Sequence, residues 1–202
     1  WNAEYELPEK SSIDITGNND ATYITWSARS YFLMSVLFLI IGGVFFYLLS
    51  QVVIKTHGWS TGLVIGFIID GLFILITLFM IIYSIFGGPK LSIENDNIKY
   101  ETFLFNKRIF EQEFDYNDIR MIWNSMNTGE DNQIAIFTDD GLEAMFEIYE
   151  MKDRNPYAMM GKVFNMKNYI MNIDTRPLSY PERLYIEQIL LEKIRQNQAD
   201  KR

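Results

Sequence analysis

Ser60 to Phe86, "STGLVIGFIIDGLFILITLFMIIYSIF", runs for 27 residues with a single charge, Asp70, and Tyr31 to Ile54, "YFLMSVLFLIIGGVFFYLLSQVVI", runs for 24 with none. Crossing the hydrocarbon core of a bilayer takes about 20 residues at a rise of about 1.5 Å each, so both stretches are long enough to span with some tilt. Neither shows polar residues returning on one face, as a helix resting on a soluble core does. The two segments read as transmembrane helices. Their connector, Lys55-Thr56-His57-Gly58-Trp59-Ser60, offers a glycine for a left-handed turn and a tryptophan for the interface. The pair is therefore an antiparallel hairpin.

Asp70 is the anomaly in this reading. An aspartate near the centre of a spanning helix costs about 2.5–3.5 kcal/mol, while each Leu, Ile, Phe or Val returns about 0.3–0.6 kcal/mol, so the helix still inserts but the carboxyl should avoid lipid. Stepping back by fours from Asp70 reaches Gly66 and Gly62, and Thr77 lies seven residues on. Small residues at this spacing allow close backbone approach, which makes Gly62, Gly66, Asp70 and Thr77 a helix contact face. In the hairpin, residues whose numbers sum to about 115 share one depth, which sets Gly42, Gly43 and Phe45 beside Asp70 and Gly71. These neighbours bring no cation. Asp70 is then either protonated or partnered by another subunit. One reading is a polar clasp against a second protein or a second copy. The other is a proton or ion relay in a transport or energy-transducing complex. Relays need ionisable groups at several depths, and Asp70 stands alone in its span, which favours the clasp.

Outside the hairpin the chain is acidic. The net charge of −8 over 202 residues divides into −3 for residues 1–30 (two basic, five acidic), zero for 31–87, and −5 for 88–202 (fifteen basic, twenty acidic). Affinity for phosphate backbones rests on clustered Lys and Arg, so nucleic acid is not an expected partner. There is no cysteine, which removes disulfides, thiolate nucleophiles and thiolate metal sites together. Residues 1–30 lack the apolar segment of a signal peptide and read as a polar, irregular tail. Arg29 precedes the hairpin and Lys90, Lys99, Lys107 and Arg108 follow it, against Lys55 alone in the connector. This bias places both termini in the cytoplasm of a bacterial inner membrane, or in the matrix if the membrane is the mitochondrial inner one.

After the hairpin, Gly87-Gly88-Pro89 stops the helix and the apolar period changes to two. Strands are expected around Leu91–Ile93, Ile98–Phe105, Arg108–Phe114, Ile119–Met126 and Gln133–Thr138. A further strand over Leu142–Tyr149 would turn back across Asp139-Asp140-Gly141, whose Asp-Gly pair is a hairpin signal. A helix is expected from Asn155-Pro156 through residue 172. A second begins at Ser179-Tyr180-Pro181-Glu182, a capping box, and carries Leu184, Ile186, Ile189, Leu190, Leu191 and Ile194 on a stripe that calls for a groove or partner helix.

This order of elements, with the segment "LSIENDNIKYETFLFNKRIFEQEFDYNDIRMIW" after a two-helix hairpin and a Gly-Pro exit, resembles the bacterial PH-like domain membrane proteins over residues 31–172. The resemblance implies an antiparallel, partly open β-barrel capped by a helix and used as a binding platform. Where PH-like domains hold phosphoinositides the first strand loop is basic. Here it is "ENDN", which favours protein over headgroup binding.

The remaining candidates are weaker. His57 is the only histidine, so neither a multi-histidine zinc site nor a paired-histidine centre can be built, and its place in the connector marks the membrane surface. Glu111, Glu113, Glu130, Asp131, Asp139, Asp140 and Glu143 follow no calcium-loop order and read as solvated turns and strand faces. Tyr100, Phe103, Phe105, Phe110, Phe114, Tyr116 and Trp123 lack the basic groove of a base-stacking platform and read as core.

The expectation is a membrane α-helical hairpin plus an α+β soluble domain. It divides into a polar segment 1–30, the hairpin 31–87, a PH-like domain 88–175 and a C-terminal amphipathic helix and tail 176–202. The function expected is that of a non-enzymatic accessory or scaffold subunit, with no catalytic residue, cofactor or metal. Its partners are the lipid bilayer and either other membrane subunits or copies of itself. They are met through Gly62, Gly66, Asp70, Thr77, Gly42 and Gly43 in the bilayer and through Leu184, Ile186, Ile189, Leu190 and Ile194 outside it.

Overall fold

The computed structural model of the chain describes residues 11–17, 21–56, 58–124, 133–150 and 168–199. These divide into two compact units. One is the hairpin, residues 27–88, with the turn Leu104–Asn106; the other holds the remaining described residues.

In the hairpin unit a short 3-10 turn at Ala28–Ser30 leads into helix α1, Tyr31–Thr56, and α2 follows at Thr61–Phe86. Ser60 caps α2, its Oγ accepting from the Leu63 N–H at 3.3 Å. The helix ends where Gly87 turns extended and its N–H bonds back to the Tyr83 carbonyl. A Cβ at Gly87 would fall 2.6 Å from that oxygen, so only glycine fits the exit. The two helices pair at the depths the sum near 115 predicts: Gly42 meets Phe73 and Ile74, and Gly66 meets Leu49.

The other unit carries two antiparallel sheets. The first has strands β1 (Ile13–Gly17), β2 (Ala21–Trp26), β3 (Gly87–Glu94), β4 (Asn97–Leu104) and β5 (Lys107–Asp115), in that spatial order. The second has β6 (Ile119–Asn124), β7 (Gln133–Thr138) and β8 (Ile170–Asp174). β2 and β3 are neighbours, Thr25 opposite Lys90 and Ala21 opposite Glu94, so the whole hairpin is inserted between two adjacent strands of one sheet.

Four sequence expectations are corrected here. The polar segment 1–30 is not irregular throughout: Ile13–Gly17 and Ala21–Trp26 form a β-hairpin that extends the first sheet, with Ile24 and Trp26 in the core. Residues 142–149 are not a strand. Asp139–Glu150 is helix α3, started by Thr138, whose Oγ1 accepts from the Gly141 N–H at 3.2 Å, with two aspartates in its first turn where the helix dipole favours them. A Cβ at Gly141 would lie 2.5 Å from the Tyr169 carbonyl, so this glycine serves a close approach and not a hairpin turn. Residues 170–172 belong to β8 and 168–169 to a turn; the rest of the helix expected over 155–172, residues 155–167, lies outside those described.

The fourth correction concerns the C-terminal helix, α4 (Tyr180–Ala199). Its Ile186, Leu190 and Ile194 are buried in one core with Ile24, Leu91 and Ile98 of the first sheet and Ile134, Ile136, Met171 and Ile173 of the second, and Ile189 packs against that core. Leu184 is half-buried. The stripe's partner is the protein's own pair of sheets, so it is not on offer to another molecule. On the other face of the second sheet, Ala135, Phe137 and Ile170 pack with Leu142 and Met145 of α3, so β7 is covered on both sides. Among the described residues no closed barrel forms, and residues of both sheets share the α4 core.

Candidate functional site

Among the described residues, the buried positions of α1 and α2 are few and share one property. They are Ser35 and Gly42 in α1 and Asp70, Thr77 and Ser84 in α2, all small or polar and each a multiple of seven from the others in its helix. A seven-residue recurrence keeps one seam facing the partner in a left-handed antiparallel pair. Most of the large apolar side chains on these helices are exposed, and only 11% of the most apolar stretch of each is buried. A helix from a soluble core would be mostly covered.

Along the seam three hydroxyls satisfy themselves within their own helix, Ser35 on the Tyr31 carbonyl, Thr77 on Phe73 and Ser84 on Ile81, each at 2.8 Å. Asp70 differs. It is 6% exposed, and its Oδ2 is buried without a hydrogen-bond partner among the described residues. Such an unmet group costs about 1–3 kcal/mol. Three residues before it Phe67 meets Phe46 edge-on at 5.2 Å, and three residues after it Phe73 meets Phe38 edge-on at 6.2 Å. The carboxyl thus sits between two aromatic crossings that tie the helices together.

Part of the predicted contact face turns into the chain's own hairpin. Gly66, Asp70, Thr77 and Gly42 meet across the chain's own hairpin. Gly62 and Gly43 do not join them: both are exposed, and a Cβ on Gly43 meets nothing within 4 Å. Ser35 and Ser84 escaped the sequence reading, although both lie seven residues from positions it had singled out.

Other candidates are committed elsewhere. Glu111 and Glu113 hold Lys99 at 3.3 and 3.1 Å, and these bonds raise the lysine above its ordinary value. Asp139 accepts Arg120 at 2.8 Å. An acidic cleft of about 480 Å³ lies between Glu113, Asp115, Asp118, Asp139 and Asp140, but no group able to hold a metal occurs among the described residues. Glu130, Asp131 and His57 fall outside the described residues. Of the aromatics read as core, Tyr100, Phe114 and Tyr116 are buried, whereas Phe105, Phe110 and Trp123 are exposed. Burial, then the Glu94 and Asp96 carboxylates, push the Tyr116 hydroxyl up, and it donates to the Glu94 carbonyl at 2.9 Å.

The capping box at α4 is larger than its sequence signature. Glu182 is 3% exposed and accepts from the Ser179 N–H and Oγ, and from the Ser11 Oγ and the Ser12 N–H and Oγ. Burial alone would raise this carboxyl. The hydrogen bonds from Ser179, Ser12 and Ser11 prevail and hold it at about 2. Comparison of the chain with protein-family models, with curated proteins and with solved structures returns no match in any of the three.

Proposed function

We propose that the chain is a non-enzymatic integral membrane protein that serves as an accessory or scaffold subunit of a larger membrane assembly. Its hairpin packs against a neighbouring transmembrane helix, and its sheet domain, used as a PH-like platform, binds protein outside the bilayer. The element order of strands, second sheet and core-packed C-terminal helix supports the platform reading. The pairing of β2 with β3 supports an arrangement with both hairpin ends on one side, and the excess of basic residues beside those ends favours the cytoplasmic side.

One observation carries the reading. Gly43 follows the seam residue Gly42, and Gly71 follows the seam residue Asp70; a Cβ on either would meet nothing within 4 Å. An antiparallel pair has its two-fold axis perpendicular to the plane of the helices, so the residue after the seam falls on the same flank in both. The two numbers sum to 114, close to the equal-depth value, so the glycines form one notch at mid-span. In a bilayer, where no hydrophobic force separates helix from lipid, such notches are where a third backbone packs.

A photo-reactive residue at position 43, activated in native membranes, should give one discrete cross-linked product that the same group at the outward-facing Leu75 does not. The mass of the product tells another subunit from a second copy. Combining Gly43→Leu with Gly71→Leu should weaken the association measured in mild detergent by tenfold or more, with helicity kept. A chain that cross-links only to lipid at position 43 sinks the reading.

The unpartnered Oδ2 of Asp70 favours a second reading, in which the carboxyl titrates in a proton- or ion-coupled assembly. Asp70→Asn separates the two: the packing role survives it, the relay does not.

A further inference from the structure

The turn between β4 and β5 belongs with the hairpin. Leu104–Asn106 groups with the membrane helices and not with the sheets that flank it. The Phe105 N–H donates to the Phe86 carbonyl at 3.2 Å, and the two rings stack with centroids 4.8 Å apart and planes 28° from parallel. Phe86 is the last residue of α2.

Two features of this turn ask for a reason. Phe105 has φ 50° and Asn106 φ 59°, the left-handed pair of a tight hairpin turn, where Asn-Gly or Gly-Gly is the undemanding choice and a bulky residue is an outlier. The ring is also left 57% exposed, beside a Phe86 that is 54% exposed. An aromatic placed at a strained position and then left in water gains little on either count.

Lipid removes the difficulty. α2 has 26 residues, about 39 Å of helix at about 1.5 Å per residue, against about 30 Å of hydrocarbon and about 40–45 Å including the headgroup regions. Its last residue therefore lies in the interfacial zone, and a ring stacked on it shares that depth.

We propose that the β4–β5 turn is a second membrane contact, with the Phe105 ring inserted in the interfacial layer of the bilayer that the hairpin spans. This rests on the transmembrane reading. The turn becomes a wedge beside the helix exit, and the exposed faces of Phe86 and Phe105 form one apolar surface against acyl chains and headgroups. The energy of burying that surface in lipid is what holds the left-handed phenylalanine in place.

Because the chain has no cysteine, single-cysteine variants carrying an environment-sensitive fluorophore report depth directly in phosphatidylcholine vesicles. Phe105→Cys is read beside Asn106→Cys, which keeps the ring, with Leu75→Cys as the mid-helix reference and Asp118→Cys as the aqueous one. Labels at 105 and 106 should be quenched by a nitroxide placed near the headgroup and protected from iodide several-fold relative to 118, while 75 responds to a nitroxide deep in the acyl chain. Deep quenching at 75 with 105 and 106 as open to iodide as 118 overturns the proposal and leaves the span intact. Iodide access at 75 overturns the span and the turn contact with it.

Discussion

Two carboxyls are buried almost equally, Asp70 at 6% and Glu182 at 3%, and the molecule treats them in opposite ways. In the sheet unit Glu182 is met by five donors from Ser11, Ser12 and Ser179. Glu101 in the same unit, 7% exposed, is likewise met by Arg108 at 3.2 Å and Lys90 at 3.9 Å. In the hairpin the hydroxyls around Asp70 turn to their own helix, and Asp70 keeps an oxygen without a partner among the described residues. A buried charge that is fully bonded stabilises a fold, whereas one that is left short stores a demand that a partner or a proton can meet.

The contrast breaks most readily at Glu182. Glu182→Ala strands donors from two segments of the chain and removes half of a capping box, so urea unfolding in detergent should show the sheet domain losing about 4 kcal/mol. If the loss is no more than about 1 kcal/mol, the cluster is ornamental. Acid tests the same group without mutation. A carboxyl held at about 2 against an ordinary 4.5 contributes fully above pH 4.5, and its contribution fades as pH falls from 4.5 towards 2. The gap corresponds to about 3 kcal/mol. Unfolding measured across that window should flatten in Glu182→Gln, which cannot titrate.

At Asp70 the sign reverses. Asp70→Leu removes an unmet carboxyl and should stabilise the hairpin by about 2 kcal/mol in detergent unfolding, since both the desolvation cost and the insertion cost are relieved. Destabilisation of similar size would mean that the carboxyl is bonded after all, and the contrast with Glu182 would vanish. The smallest effect lies one residue apart in α1. A Cβ at Gly42 would come 3.0 Å from Ile74 Cγ1 and 3.2 Å from Phe73 Cδ1, neither the free end of a flexible chain, while Gly43 faces open space. Gly42→Ala should be less stable than Gly43→Ala by about 1 kcal/mol, the scale of a small overpacking change.

The hairpin was legible because its signal is compositional and long: two uniformly apolar stretches joined by a short turn give two helices and the register at which they pair. The strands from β3 to β7 were legible through alternation bounded by turns. The misreadings have physical causes. Asp139-Asp140-Gly141 carries the residues of a β-turn, yet the same aspartates suit a helix N-terminus. Thr138 before them and the Leu142–Met145 spacing decided for helix α3. β1 and β2 were hidden by a polar neighbourhood, although "IDIT" and "ATYITW" flank a Gly-Asn-Asn-Asp turn signal. For Asp70 and for the α4 stripe the sequence identified a surface that needs covering. Which surface covers it depends on how distant segments meet: the α4 stripe is covered by the chain's own two sheets, whereas Asp70 is buried in the hairpin with one oxygen unmet among the described residues.

The insertion of the hairpin between β2 and β3 also sets an order of events during synthesis. The first two strands leave the ribosome well ahead of Lys90 to Glu94, and until those residues emerge β2 stands with a bare edge. The edge can be closed only after both helices between β2 and β3 have been made.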